Sequence, residues 1–257
     1  EQKAARETFI RRWRLEPSNL EAYARGELVD PIKPIVYYID PGTPEQWRSY
    51  VKQGVEDWQA AFETAGFSNA IIARDPPSPE EDPEWSGEDV RYSVVRWAAN
   101  ETRNAQGPSV SDPRTGEIIE SDIVWYHNHM RSYRNRLMVE TGAANPLARS
   151  LDIPEELMGE TMRQVIAHEV GHALGLPHNW IASSAFPVDS LRSPAFTDQY
   201  GVAASIMEYA RQNYIAQPGD GVRRFVRMIG PYDHYAINWG YRIIPEAADP
   251  EDEKPIL

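Results

Sequence analysis

Cysteine is absent from the 257-residue sequence. This absence excludes disulfides, cysteine-based zinc sites and thiol catalysis, but it does not identify the compartment, because many exported bacterial proteins also lack cysteine. Long apolar runs are absent too. No stretch approaches about 18 consecutive apolar residues, so we expect no membrane span.

Positive charge is scarce, with 26 Lys and Arg against 39 Asp and Glu, which gives a formal net charge of −13. A protein that binds duplex DNA needs a basic face to neutralise phosphates, so we expect no nucleic-acid partner. The negative charge indicates a well-solvated surface, and it does not locate the field at a cleft. The hydrophobic share of 41% is ordinary for a soluble globular protein.

The chain also lacks an initiator methionine and a signal peptide, and it ends on an acidic, proline-containing run, Glu246 to Leu257. We therefore expect a piece of a longer protein that behaves as a monomeric domain.

The order of sequence patterns predicts an α+β fold. β-branched and aromatic runs predict strands, and apolar residues at spacings of three and four predict helices. The predicted strands are 33–40, 69–73, 90–98, 107–111 and 117–126, and the predicted helices are 3–14, 44–65, 154–175 and 232–239. Thr43 and Gln46 form a predicted capping box. Residues 112–116 form a turn, and Pro108 marks 107–111 as an edge strand.

This order predicts a twisted mixed sheet of about five strands with two long helices, followed by a smaller irregular subdomain with one helix. We assign residues 1–32 to an N-terminal extension, 33–178 to an N-terminal subdomain and 179–257 to a C-terminal subdomain. The cleft that would hold a metal is expected at the junction of the last two.

A histidine motif occupies the end of the predicted helix 154–175. His168 and His172 are four residues apart, so on a helix both imidazoles face the same side and can bind one metal ion. Glu169 follows the first histidine, where it can take a proton from a metal-activated water. The sequence therefore predicts a catalytic zinc site.

A third ligand, His178, requires the helix to stop. Gly175 can adopt the left-handed conformation that ends helices, and Pro177 prevents the helix from resuming. The chain can then return His178 to the metal, and three histidines leave a fourth position for water, as a catalytic zinc site needs. The alternative is a surface helix that happens to carry histidines. The apolar residues around the motif predict a buried helix instead, in which these polar side chains need partners.

The run HEVGHALGLPH, residues 168–178, matches HExxHxxGxxH and resembles the metzincin clan of zinc peptidases. Downstream, SIMEY at 205–209 resembles the Met-turn of that clan, which implies that Met207 is a structural residue beneath the zinc. The Met-x-Tyr pattern is similar to astacins and serralysins. It implies that Tyr209 is an additional zinc ligand that can swing away to stabilise the oxyanion, whereas the alternative is a core aromatic.

By element order the resemblance extends over residues 33–241. The segments SIMEYARQNYIAQPGDG and GPYDHYAINWGY are more narrowly similar to large exported bacterial zinc-dependent metalloproteases, which implies export. Asn179, directly after the third histidine, differs from the residue in the best-known metzincin subfamilies.

The predicted function is that of a zinc-dependent endopeptidase with one catalytic zinc ion. Glu169 would be the general base, Tyr209 would stabilise the oxyanion, and an extended peptide would pair with the edge strand at Gly107, Ser109 and Val110. Two alternatives stay open. One is a metzincin-like binding module with weak or no catalysis, and the other is a zinc exopeptidase or amidohydrolase.

Three further patterns are weaker. His127 and His129 would face one side of a strand and could form a second metal site, but no carboxylates accompany them. Asp233 and His234 are interpreted as a hydrogen-bonding pair at a helix start. The acidic loop 79–89 could bind calcium, but its spacing fits no EF-hand, so we interpret it as a solvated loop.

Overall fold

The computed structural model describes residues 10–247 and 250–256, and it confirms the α+β prediction. A five-stranded mixed sheet has the order β2-β1-β3-β7-β4, in which only β4 runs antiparallel to its neighbour. A separate two-stranded ladder joins β5 and β6. The strands are β1 (Ile35–Ile39), β2 (Ile71–Arg74), β3 (Ser93–Ala98), β4 (Ala105–Gln106), β5 (Val110–Ser111), β6 (Ile118–Glu120) and β7 (Ile123–Tyr126).

Helices pack on the sheet and continue beyond it. They are α1 (Leu20–Ala24), α2 (Glu45–Glu56), α3 (Gln59–Thr64), α4 (His129–Arg136), α5 (Glu155–Ala173), α6 (Pro194–Tyr200), α7 (Pro231–Tyr241) and α8 (Pro250–Glu253). A π-helical turn, Leu137–Thr141, follows α4. Among the described residues, no helix is both long and apolar enough to cross a membrane.

The pairing of α2 with α5 supports the centre of the fold. Trp47, Val51 and Val55 recur on one face of α2 and are buried. Each such side chain contributes roughly 1.5–3 kcal/mol by leaving water. Gly54 allows the two helices to approach closely, since a Cβ there would lie 2.8 Å from the Arg163 carbonyl oxygen. This packing positions the helix that carries the histidine motif.

The predicted helix 44–65 is two helices, because the chain turns at Asp57 and Trp58 between α2 and α3. The fully buried Trp58 indole donates a hydrogen bond to the Ala167 carbonyl oxygen at 2.8 Å, which fixes the break against α5. The predicted capping box is wrong. The N-cap is Pro44, which makes no side-chain cap hydrogen bond, and Thr43 is buried.

The predicted helix 3–14 is wrong where the structure describes it, while residues 3–9 lie outside the described part. Residues 10–14 are not helical, and Arg12 forms a parallel bridge with Glu117. The Trp13 indole donates to the Ala173 carbonyl oxygen at 2.9 Å. Contacts with the start of β6 and with the end of α5 therefore hold this segment. The helical periodicity of its sequence does not reveal these contacts.

The predicted edge strand 107–111 is also wrong in its bounds. The edge of the main sheet is β4, whereas Val110–Ser111 pairs with β6 in the separate ladder. The predicted strand 117–126 splits into β6 and β7, because the Asp122 carboxylate accepts a hydrogen bond from the Val94 backbone N–H at 2.8 Å. The turn at 112–116 is confirmed, since Gly116 has φ +77° and donates to the Asp112 carbonyl oxygen.

Candidate active site

Three histidines converge at the end of α5. His168 and His172 lie on the helix, which ends at Ala173. Gly175 then adopts φ +94°, and a Cβ there would lie 2.1 Å from the Arg11 carbonyl oxygen. As the sequence predicts, the chain turns back after this glycine, and one ring nitrogen from each of His168, His172 and His178 lies within 4.8 Å of the other two.

Backbone carbonyls fix the tautomers of two of these rings. The His168 Nδ1 lies 2.8 Å from the Ile206 carbonyl oxygen, and the His172 Nδ1 lies 2.9 Å from that of Leu176. A carbonyl oxygen only accepts, so each Nδ1 carries the proton and each neutral ring presents the lone pair of Nε2. Among the described residues, the buried His168 Nε2 has no hydrogen-bond partner.

Burial also keeps the imidazoles neutral. It lowers the pKa of His168 to about 3, and it lowers the pKa of His172 and of His178 as well. The His172 and His178 Nε2 atoms lie 3.0 Å apart. Converging lone pairs on neutral rings need an electrophile between them, so this donor set fits a zinc ion.

Glu169 is buried beside the histidines and contributes to the wall of the same cavity. Burial raises the pKa of its carboxyl to about 7, and a hydrogen bond from the Gly107 backbone opposes that rise. Gly107 lies so close to α5 that a Cβ there would be 2.2 Å from the Glu169 carbonyl oxygen. The residue after β4 therefore lies directly against the candidate general base.

The segment 205–209 forms the floor of the site. Met207 is fully buried, and its Sδ would lie 2.1 Å from a Cβ at Gly171, so a glycine inside the histidine motif makes room for it. The Asn179 backbone N–H donates to the Met207 carbonyl oxygen at 3.0 Å. This bond ties the residue after His178 to the turn beneath the histidines.

Asp233 organises this turn, and the sequence interpretation of Asp233 missed that role. Its carboxylate accepts hydrogen bonds from the Ser205 hydroxyl at 2.6 Å, the Ile206 N–H at 2.7 Å and the Gly230 N–H at 2.8 Å. The predicted pairing with His234 is wrong, because the Asp233 carboxylate binds these three groups and makes no hydrogen bond to the His234 side chain among the described residues. An acidic residue in the first turn of a helix indicates a capping role, but it does not reveal that Asp233 also binds Ser205 and Ile206, which are distant in sequence.

Tyr209 lies over the histidines on the solvent side. The residue is 52% exposed, so it is not a core aromatic. Its ring centroid lies 4.1 Å from that of His178 and 5.3 Å from that of His168, and Trp180 packs edge-on at 5.2 Å. The buried Glu208 carboxylate accepts hydrogen bonds from the Tyr209 and Ser183 N–H groups, which fixes the backbone here.

A cavity of about 860 Å³ opens over these residues. Its walls come from β4 and the segment after it, from α4, from α5 and from the segments around Tyr209 and Arg227. Gly107 contributes to the wall, whereas Ser109 and Val110, also predicted to bind substrate, are not among the described residues that line the cavity. The sequence analysis did not predict the other wall residues, which are Asn104, Ala105, Gln106, Pro108, His129, Tyr133, Arg136, Glu140, Trp180, Ala210, Arg211, Gln212 and Arg227.

The other candidate metal groups differ from the pattern that suggested them. His129 begins α4 rather than lying on a strand, and it packs against Trp125 and Tyr133, while His127 packs against Trp97. In the part of the chain that the structure describes, the three histidines of the motif form the only cluster of three or more His, Asp or Glu side chains close enough to share one metal ion. In and beside the loop 79–89, Glu88 pairs with Arg96 and Asp89 with Arg91.

One comparison with known proteins agrees with the histidine motif. The profile of a family described as Met-zincin matches residues 150–257, which confirms the metzincin resemblance for the part of the chain that carries the histidines and the Met-turn. A solved structure of myroilysin is similar over 93% of this chain and 92% of that chain, with 16% sequence identity and a TM-score of 0.35. No curated protein sequence matches the chain.

Proposed function

We propose that this chain, which is metzincin-like over residues 150–257, is a zinc-dependent endopeptidase. The observation that carries the proposal is the convergence of three histidine nitrogens within 4.8 Å of one another, beside a buried glutamate in an open cavity. His168, His172 and His178 would hold the zinc ion. When bound, zinc supplies Lewis acidity toward the attacking water and the peptide carbonyl.

The residues of the chain itself would carry the proton transfers. Glu169 has a carboxyl whose pKa burial raises to about 7, so it can accept a proton from water near neutral pH and return it to the leaving amine. Tyr209, which lies over the histidines, would donate a hydrogen bond to the oxyanion. The Ile206 and Leu176 carbonyls hold two of the imidazoles in the orientation and tautomer that a metal ligand needs.

Substrate would bind as an extended strand along the free edge of β4. Ala105, Gln106 and Gly107 line the cavity, and β4 is the edge strand of the sheet. An edge strand has unpaired backbone groups that can form hydrogen bonds with the backbone of an extended peptide. Such pairing does not require a chain end, so it favours internal cleavage. The proposal moves the substrate strand from 107–111 to 105–107. Ser109 and Val110 therefore lose the role that the sequence suggested.

Glu169→Gln tests the proposal directly. This variant should keep its zinc, because the three histidines are unchanged, but peptide cleavage should fall about 100-fold to 10,000-fold because the general base is lost. Zinc is measured by elemental analysis, and cleavage is measured with a diverse peptide library with and without a chelator. Glu156→Gln, at an exposed site on the same helix, is the matched control.

The outcomes separate the candidate functions. Internal cleavage that the chelator and Glu169→Gln both abolish supports the endopeptidase. Release of single residues or dipeptides from chain ends supports the exopeptidase. A wild-type protein that is fully loaded with zinc but cleaves nothing supports the binding module. Full activity in Glu169→Gln would refute the mechanism.

The wider setting of the activity is also a proposal. The likeness of residues 205–241 to exported bacterial metalloproteases leads us to propose that the chain acts outside the cytoplasm, as a monomeric domain on peptide or protein substrates. We also propose that the chain divides after His178 into two subdomains, residues 33–178 and 179–257, with the active-site cleft between them.

A further inference from the structure

Arg227 is a buried cation without a counter-ion. The residue is 6% exposed, and its Nε and Nη1 atoms have no hydrogen-bond partner among the residues that the structure describes. In the same part of the chain, no carboxylate oxygen lies within 4.0 Å of its guanidinium nitrogens. A buried charge without a partner is costly, so such a group is typical of a site that a ligand completes.

The surroundings of Arg227 place its side chain at the catalytic cavity. Arg227 lines the cavity together with Tyr133, Arg136 and Tyr209. Burial lowers the pKa of the guanidinium, while Tyr133, the Glu208 carboxylate and Tyr209 oppose that change and the Arg136 cation adds to it. Three of these four neighbours line the cavity and Arg227 is itself one of its wall residues, so the guanidinium lies at the wall of this cavity. Arg227 also borders a smaller cavity of about 190 Å³.

Glu208 acts on Arg227 electrostatically but forms no ion pair with it. Its two carboxylate oxygens accept hydrogen bonds from the Ser183 N–H at 3.0 Å and the Tyr209 N–H at 2.8 Å. The Arg227 backbone is fixed separately, since its N–H donates to the Gln164 side-chain oxygen at 2.7 Å. The Arg227 backbone is therefore fixed beside the cavity wall, while the guanidinium Nε and Nη1 make no hydrogen bond to the described residues.

The charge of the cavity wall is opposite in sign to that of the whole chain. The formal net charge of the chain is −13. The wall contains Arg136, Arg211 and Arg227 against Glu140 and Glu169. Arg211 is paired with Glu140 at 3.2 Å, so the remaining wall charges are two arginines and the candidate base. A cleft of this kind attracts anionic groups locally, even on an acidic protein.

We propose that Arg227 forms a subsite beside the metal centre that binds a carboxylate of the peptide substrate. A guanidinium binds a carboxylate through two parallel hydrogen bonds, which matches an arginine with unused donors at a cavity wall. The carboxylate comes from an Asp or Glu side chain near the cleaved bond or from the C-terminus of the peptide. The effect on cleavage rests on the proposed peptidase function. The binding of a carboxylate by Arg227 does not depend on it.

Cleavage of a positional-scanning library, followed by kinetics on matched peptides, tests the subsite. At one position next to the cleaved bond, the wild type should prefer Asp or Glu over Asn or Gln by about 10-fold to 100-fold in kcat/KM. Arg227→Met should bring that ratio close to one, and Arg227→Lys should retain part of it. Arg224→Met is the control, because Arg224 lies on the same segment, pairs with Glu160 and does not line this cavity among the described residues.

Stability separates recognition from a structural role. Arg227→Met removes an unpaired buried charge, so its urea midpoint should equal or exceed that of the wild type. If Arg227→Met unfolds, the guanidinium has partners that contribute to the fold. Arg227→Gln then decides, because a folded Gln variant with an unchanged preference for Asp would overturn the proposal. A wild-type preference near one would overturn it as well.

A binding measurement keeps the subsite distinct from catalysis. The probes are a fluorescein-labelled decapeptide of alternating Ala and Asp and its Asn counterpart, each with a free or amidated C-terminus. Alternation places every Asp on one face of an extended peptide, so the register need not be known. Zinc-loaded Glu169→Gln should bind the Asp peptide about tenfold more tightly, and adding Arg227→Met should abolish the difference.

The two peptide ends identify the source of the carboxylate. If tight binding follows the Asp side chains, Arg227 binds an acidic residue, and if it follows the free C-terminus, Arg227 binds the chain end. Equal Kd values for all four peptides would refute the subsite. If nothing is cleaved but the Asp peptide still binds more tightly through Arg227, the peptidase proposal fails and the subsite stands.

Discussion

Asp233 links the start of α7 to the first histidine of the site, although it contacts no histidine itself. Its carboxylate accepts a hydrogen bond from the Ile206 N–H at 2.7 Å, and the Ile206 carbonyl in turn lies 2.8 Å from the His168 Nδ1. The same carboxylate holds the Ser205 hydroxyl, which accepts from the Met207 N–H. The orientation of His168 therefore depends on a residue 65 positions away in sequence.

Asp233→Asn should destabilise the protein by about 2 kcal/mol, because the amide NH₂ group would face a donor that now reaches a carboxylate oxygen. Chemical unfolding in urea measures the change. Asp198→Asn is the control, since Asp198 pairs only at the surface with Arg223 and its replacement should cost less than about 0.5 kcal/mol. An Asp233 variant as stable as the control would show that this network does not hold the Met-turn.

Residue identity predicted the three candidate metal ligands but not the groups that support them. The spacing of His168, His172 and His178 lies within one short segment, so local rules for helix periodicity and helix ends suffice to bring the rings together. Asp233 and Arg227 act on partners far along the chain. Their roles arise from burial and from contacts between distant segments, and neither leaves a periodic signal in the sequence.

At the scale of elements, the long helix α5 was predictable and short strands were not. The periodicity of α5 and the glycine after it fixed both the helix and its end to within two residues. β4 contains two residues, too few for an alternating pattern, so its place at the sheet edge follows only from pairing with β7. The helix α4 was missed because its residues are mostly polar, although His129, Tyr133 and Arg136 place it along the cavity wall.

The closeness of the segment after β4 to α5 gives a prediction about this element. Gly107→Ala would place a Cβ 2.2 Å from the Glu169 carbonyl oxygen, so the edge strand must move away from the helix. A displacement of about 1 Å between substrate and general base can lower kcat/KM about 100-fold. We expect such a loss with zinc content retained, measured by peptide cleavage and elemental analysis.

Ser109→Ala provides the comparison for this element. Ser109 lies two residues further along, is not among the described residues that line the cavity, and should show wild-type kinetics when replaced. If Ser109→Ala impairs cleavage as much as Gly107→Ala does, the substrate strand extends along 107–111, as the sequence pattern first suggested.

At the scale of the whole molecule, the two halves differ in how they are held. Residues 33–178 contain every strand of the five-stranded sheet and the α2–α5 pair. From His178 to the start of α7, the described chain has one α-helix, the seven-residue α6. This segment is anchored by hydrogen bonds to the Asp233 and Glu208 carboxylates and by the hydrogen bond from the Asn179 N–H to the Met207 carbonyl oxygen. A metal ion held by His178 would add a further anchor to the less regular half.

Removal of the proposed zinc ion should therefore loosen the second half before the sheet. A ligand at about 1,000 times its Kd stabilises the folded state by about 4 kcal/mol, so a chelator should lower the thermal unfolding temperature by roughly 10 °C. Limited proteolysis with mass spectrometry should place the first new cuts between residues 180 and 193, where Trp180, Ile181 and Val188 are exposed. Glu169→Gln should respond to the chelator like the wild type, whereas His178→Ala should respond little. First cuts within the five-stranded sheet would contradict this account, because they would mean that the metal stabilises both halves alike.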